Sequence, residues 1–232
     1  MEQLPGGLTM DIPEGCFPFS TDSVALAGFV RLRTGASVLD LGSGCATLGL
    51  ILCATDSKCS VTGIEVDERA HAAALENIRR NDLSTRLFSI CADIRTIPSR
   101  IHAGSFCCCV SNPPYFSGGP ASSAYQTARR EDLCSLDDLI KSAAWALQYG
   151  GDFYLVHRPE RLAEIFTKCA ASAMEPKRLC LLRHKATGPV SLVLIHCKKG
   201  AKPGLKWEEW ALYDAQGNPT QQYRTLYHLQ EA

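Results

Sequence analysis

Ser37-Val38-Leu39-Asp40-Leu41-Gly42-Ser43-Gly44 is the stretch on which the fold turns. A short apolar run closed by an acid and a Gly-x-Gly turn reads as a buried strand. Residues 45–55 follow without a polar linker and read as a helix packed back on that strand. Outward from this unit the alternation continues. Residues 60–65 read as a second strand, and 67–82 as an amphipathic helix with Ala70, Ala74 and Ile78 at helical spacing. Residues 86–92, 106–111 and 153–157 read as further strands, with helices at 135–148 and 161–174. Upstream, 24–30 reads as a helix behind the capping residues Ser20, Thr21 and Asp22. Beyond 174 the pattern changes. Residues 178–182 and 190–197 are strand-like, and the link between them is too short for a helical crossover, so they pair antiparallel. The expected fold is α/β, a mostly parallel seven-stranded sheet with helices on both faces and a closing antiparallel hairpin.

The 232 residues fit one domain, read as an N-terminal lid segment over 1–35, a core over 36–200 and an extension over 201–232 packed on the body. Formal net charge is zero, so global charge announces no nucleic-acid partner, although a local patch still can. The 12 cysteines include no Cys-x-x-Cys pair, and several sit inside apolar runs as small buried hydrophobes. That usage argues against a disulfide framework and against zinc, and no metal is expected. Residues 1–14 contain no apolar signal core, and no apolar run approaches the ~20 residues of a membrane span. The expected setting is reducing and cytoplasmic.

Ligands of such sheets bind at the carboxyl ends of the strands. Gly42 and Gly44 allow a tight turn and a close ligand. A dinucleotide fingerprint needs a third glycine at position 47, where this chain has Thr47. Asp40, at the strand end, is placed to accept from a cationic amine, which S-adenosylmethionine carries. Glu65 ends the second strand 21 residues after Gly44 and can accept both hydroxyls of a ribose. Asp93 ends the third strand and can accept from the exocyclic amine of an adenine; it also reads as a helix N-cap.

Asn112-Pro113-Pro114-Tyr115 follows the fourth strand. The exocyclic nitrogen of adenine is a poor nucleophile, because its lone pair is delocalised into the ring. Two acceptors for its N–H groups, the Asn112 side-chain oxygen and the Pro113 carbonyl, would pull that nitrogen towards tetrahedral geometry. Pro113 and Pro114 stiffen the loop, and Tyr115 and Phe116 can stack on a base. No histidine stands out as a base, and a strong one is unnecessary, since the methylated amine can lose its proton afterwards.

With these motifs on the page, the sequence resembles the class I, Rossmann-like S-adenosylmethionine-dependent methyltransferases. Within them it resembles the tRNA adenine N6-methyltransferases that act beside the anticodon of a valine tRNA. The resemblance runs from Phe17-Pro18-Phe19-Ser20-Thr21-Asp22 to about Lys198. It includes the glycine turn, Gly63-Ile64-Glu65-Val66, Glu76-Asn77-Ile78-Arg79-Arg80-Asn81, Asp93 and the Asn112 loop. It implies an S-adenosylmethionine cofactor released as S-adenosylhomocysteine, and a tRNA substrate. It also implies binding roles for Phe19, Ser20, Thr21 and Asp22, which close over the methionine part, and for Val66 and Ile94 beside the acids. Arg129 and Arg130, in Ala128-Arg129-Arg130-Glu131, would lie near the substrate.

Enzymes that methylate a glutamine amide of release factors share the Asn-Pro-Pro-Tyr loop, as do DNA adenine methyltransferases. Their acceptors are equally planar. A non-catalytic RNA-binding module on the same fold is the third alternative. Between Lys177 and Lys206 stand eight basic residues and no acid, Lys198 and Lys199 among them. They read either as phosphate contacts for RNA or as lysines guarding a sheet edge. A monomer and a homodimer both remain open.

Overall fold

The computed structural model describes residues 1–114 and 134–227. A two-stranded hairpin, β1 (Glu2–Gln3) and β2 (Thr9–Met10), precedes α1 (Thr21–Phe29). The sheet then begins with β3 (Ser37–Leu41), α2 (Thr47–Thr55), β4 (Ser60–Glu65), α3 (Glu68–Arg80) and β5 (Leu87–Cys91). A 3-10 turn (Ile94–Ser99) leads to β6 (Phe106–Ser111). The rest is α4 (Leu136–Ala146), β7 (Leu147–His157), α5 (Leu162–Ala171), β8 (Met174–Lys185), β9 (Val190–Lys199), β10 (Lys206–Tyr213) and α6 (Gln221–Leu226).

The main sheet runs β10-β8-β9-β7-β6-β3-β4-β5. All its pairings are parallel except the two that β9 makes, with β7 and β8. β3 lies between β4 and β6, so strand order reverses there, which opens a crevice at the carboxyl ends of those strands. Both faces are covered. Val38, Cys108 and Val110 point into one apolar cluster with α1 and α2, whereas Leu39, Leu41 and Cys109 point into the other with α4 and α5. A strand buried on both faces needs no polar alternation, which is why Cys107-Cys108-Cys109 can sit in β6. All 12 cysteines are free thiols.

The sheet has eight strands rather than the expected seven. The extra one, β10, pairs parallel to β8 at the edge, Trp207 opposite Leu179, inside the segment read as an extension. As an edge strand it leaves Trp207 66% exposed and carries Glu208 and Glu209, so its sequence lacks the apolar signature of the inner strands. α6 then returns to α1. A Cβ on Gly28 would stand 2.2 Å from Leu226 Cδ2, so the leucine tip would have to shift to admit a side chain there.

The N-terminal segment is anchored by α3. Asn77 Oδ1 accepts from Asp11 N at 2.8 Å and its Nδ2 donates to Asp11 O at 2.9 Å. Asn81 repeats this with Thr9, at 3.1 and 2.7 Å. Four residues of helix rise about 6 Å and two of extended chain about 6.6 Å. Amides one turn apart therefore match alternate peptides of a strand. Asn77, fully buried, also donates to Cys45 O at 3.2 Å, behind the glycine turn. Asn77→Ala strands these buried groups and is expected to lower unfolding free energy in urea by about 2–3 kcal/mol. A change below about 0.5 kcal/mol would show that the clamp is dispensable.

Candidate active site

The crevice beside β3 begins with a forced turn. Gly42 and Gly44 have φ of +74° and +55°. Both Gly42 N and Ser43 N donate to Ile64 O at 3.0 Å, which folds the turn over the end of β4. A Cβ on Gly63 would stand 2.5 Å from Ser43 Oγ, so a glycine is needed in β4 as well. A Cβ on Gly42 or Gly44 would meet nothing within 4 Å, so it is the left-handed backbone that selects glycine there.

Asp40 is 1% exposed, and neither carboxylate oxygen has a hydrogen-bond partner. Burial, and then the neighbouring Glu65 charge, push its pKa from 3.8 up to about 8. Its neighbour Ser43 also has a buried, unpartnered Oγ. Groups so costly to bury indicate a polar ligand. Glu65 crosses the crevice mouth: Gly44 N donates to its Oε2 and Asp67 N to its Oε1, both at 2.8 Å. Each oxygen keeps acceptor capacity beyond that one bond. Asp93 also faces the crevice, but it caps the 3-10 turn by accepting from Arg95 N at 2.8 Å, and it holds the Arg95 guanidinium. That ion pair holds its carboxyl below the usual range. Val66, 49% exposed, and Ile94 supply apolar surface next to these acids.

The catalytic candidates Asn112, Pro113 and Pro114 line the same crevice, off the end of β6. Asn112 Nδ2 donates to Ser23 Oγ at 2.9 Å, so the nitrogen end of the amide is committed to α1 and Oδ1 is the opposite end. Among the expected lid residues, Phe19 packs on the apolar core and Thr21 Oγ1 lies 3.2 Å from Tyr227 Oη. Cys16, Phe17, Pro18 and Ser23 line the crevice where Phe19, Ser20, Thr21 and Asp22 were expected. Ser20 sits at the N-cap of α1 and its Oγ is buried without a partner. Tyr115, Phe116, Arg129 and Arg130 lie outside the described residues.

Lys198 and Lys199 are far from this site. β9 runs antiparallel to β7, and Lys198 stands opposite Asp152, five residues before His157 at the crevice, or about 16 Å along the strand. Lys198 Nζ donates to Asp152 at 3.0 Å; Lys199 Nζ donates to Ala144 O and Leu147 O, at 2.6 and 2.7 Å. Both ammonium groups are hydrogen-bonded within the protein, at the end of the strands opposite the crevice.

Ser23 and His157 are among the crevice residues that escaped the sequence reading. Ser23 carries no signal beyond its place in α1. His157 did carry one, since it is the last residue of a parallel strand, where ligands bind. Among the described residues no three His, Cys, Asp or Glu side chains gather as a metal set, and no helix is long and apolar enough to cross a membrane.

Comparison with known proteins accords with this geometry. Residues 21–177 match the family model described as methyltransferase small domain. The chain is 32% identical over 178 residues to a tRNA1(Val) (adenine(37)-N6)-methyltransferase of Bacteroides fragilis, covering 75% of this chain and 74% of that one. An Actinobacillus pleuropneumoniae protein of the same name is 26% identical, with 89% and 87% covered. Among solved structures, a predicted O-methyltransferase of Agrobacterium tumefaciens superposes with a TM-score of 0.76 over 91% of this chain and 98% of that one, a likeness of fold at 20% identity. With the family model matched over more than half its length and a relative above 30% identity matched over three quarters of it, the chain belongs to the methyltransferase small domain family, among the tRNA1(Val) (adenine(37)-N6)-methyltransferases.

Proposed function

We propose that this chain transfers a methyl group from S-adenosylmethionine to the N6 amine of an adenine in tRNA, at the position 37 for which its relatives are named. The observation that carries this reading is one crevice holding both a buried, unpartnered Asp40 and an Asn112 amide fixed by Ser23.

The cofactor supplies an electrophilic methyl group on a sulfonium, which leaves as a neutral thioether. Asp40 would hold its amine and Glu65 its ribose hydroxyls, while Val66 and Ile94 would flank the adenine. Asp93 would serve that adenine only with the oxygen capacity that Arg95 leaves. On the acceptor side Asn112 Oδ1 and the Pro113 carbonyl would take the two N–H groups of the amine, localising its lone pair. With Nδ2 turned to Ser23 the Asn112 amide would present its oxygen to the amine. Proline-fixed backbone at 113 and 114 limits the misplacement that wastes proximity. Twelve free cysteines fit a reducing, cytoplasmic setting.

Asn112→Ala is expected to lower methyl transfer to unmodified tRNA by at least about 100-fold, on the scale seen when one preorganised polar group is removed. Calorimetric affinity for S-adenosylmethionine should stay near wild type. Wild-type turnover in the variant would remove Asn112 from the chemistry.

Asp40 makes a second, pH-dependent prediction. Burial raises its pKa from the ordinary 3.8 to about 8, so the folded state binds the extra proton between those values and the ligand-free protein loses stability as pH rises through that window. Asp40→Asn removes the titration. In urea melts the variant should match wild type near pH 4 and exceed it increasingly towards pH 9, by up to a few kcal/mol, while failing to bind the cofactor. Parallel pH curves for the two proteins would contradict a buried, ligand-directed carboxyl.

A further inference from the structure

Strand direction divides the basic stretch between Lys177 and Lys206. β9 runs antiparallel to both β7 and β8, so β8 runs parallel to β7, and β10 runs parallel to β8 with Tyr213 opposite Lys185. Of the eight basic residues, Arg183 and Lys185 are therefore the two that lie at the crevice end of the sheet. β8 is three strands from β6, about 14 Å away. A row of four rings leads from that edge towards α1. The centroids of His184 and Tyr213 are 4.9 Å apart, those of Tyr213 and Tyr223 5.2 Å, and those of Tyr223 and Tyr227 4.5 Å. The three tyrosines pack on the apolar cluster that contains α1. At the inner end Tyr227 Oη lies 3.2 Å from Thr21 Oγ1. Thr21 is two residues before Ser23, which lines the crevice and accepts from Asn112 Nδ2. The row thus joins the outer edge of the sheet to the helix that holds the acceptor loop.

The chemistry of this strip suits a nucleic-acid strand. His184, at the outer end of the row, is exposed, as is Lys185, and Arg224 on α6 is half-buried. Among the described residues neither Lys185 nor Arg224 has an ion-pair partner. The acids beside them are engaged: Glu209 faces Arg183 at 3.6 Å, and the Asp214 carboxylate accepts from Asn218 N at 2.8 Å. An exposed ring backed by three packed rings offers a base a face that is already ordered, so little entropy is lost on contact. Cations beside it suit phosphates, and stacking on aromatic rings selects bases that are not already paired in a duplex. We propose, resting on the function above, that this strip binds the single-stranded RNA flanking the target adenine. One base stacks on His184, and Lys185 and Arg224 contact phosphates. Tyr213, Tyr223 and Tyr227 are positioning residues, which fix His184 relative to α1 and so to the acceptor loop.

The test uses full-length protein and unmodified valine tRNA, read by methyl transfer and by equilibrium binding over a salt series. Lys185→Ala combined with Arg224→Ala should raise KM for tRNA by at least about tenfold. It should also flatten the slope of log affinity against log salt by about 1.4, the share of two phosphates on a single strand. The loss should fall on KM rather than on kcat, with calorimetric affinity for S-adenosylmethionine at the wild-type value. His184→Ala should weaken tRNA binding by about fivefold or more, and His184→Phe, which keeps a stacking face, should recover most of it. Wild-type affinity and slope in the double variant, or a His184→Phe protein no better than His184→Ala, would overturn the inference and leave the proposed function standing. So would a wild-type dimer in sedimentation that His184→Ala dissociates with tRNA affinity unchanged, which would assign the strip to a second copy of the chain. A wild-type enzyme that binds cofactor but neither binds nor methylates the tRNA would overturn both.

Discussion

Ile64 O accepts hydrogen bonds from both Gly42 N and Ser43 N, and the arrangement of Asp40, Ser43, Gly44 and Glu65 in the crevice follows from that bifurcated contact. It curls the backbone back over the end of β4, which brings Gly44 N within 2.8 Å of the Glu65 carboxylate. The same curl leaves Asp40 behind the turn with no donor to meet it. The turn is possible because Gly42 and Gly44 tolerate left-handed backbone and because Gly63 offers no side chain where Ser43 must pack. Asn77 braces it from behind through Cys45 O and ties the N-terminal segment to the same place.

Asp40 sets stability against binding. A carboxyl without partners is expensive to bury, and a second acid nearby raises the expense. The fold tolerates it because two apolar clusters, one on each face of the sheet, are continuous up to the crevice. On the proposed reading the carboxyl serves the cationic amine of the cofactor, since preorganised acceptors need not rearrange when the ligand arrives. Asn112 follows the same logic with opposite polarity. Its nitrogen end donates to Ser23, which on the proposed reading leaves the oxygen end for the substrate.

Much of this was legible in the sequence, for physical reasons. Asp40, Glu65 and Asn112 each follow a short apolar run, and a polar residue at the end of a buried parallel strand has few places to be other than the ligand crevice. Asp93 was legible as both an acceptor and a cap, and in the structure it caps the 3-10 turn while facing the crevice. Ser23 was not legible, because a hydroxyl on a helix gains its role only when that helix docks against another loop. The place of Lys198 and Lys199 in the sheet was not legible, because a basic run does not reveal strand direction. One antiparallel strand carries its end to the far edge of the sheet, away from the crevice. The edge strand β10 was hidden by the polar residues that edges carry. Which residues around Phe19 through Asp22 turn inwards was not legible: Cys16, Phe17 and Pro18 before α1 and Ser23 within it line the crevice.

The central claim is that the crevice delivers a methyl group to a planar exocyclic amine of RNA. The most direct measurement supplies labelled S-adenosylmethionine to the wild-type protein with unmodified total tRNA and release factor present together, then digests both and separates the products. The account predicts label in N6-methyladenosine from tRNA and none in the protein fraction. Label in a protein glutamine, with the tRNA unlabelled, would contradict it.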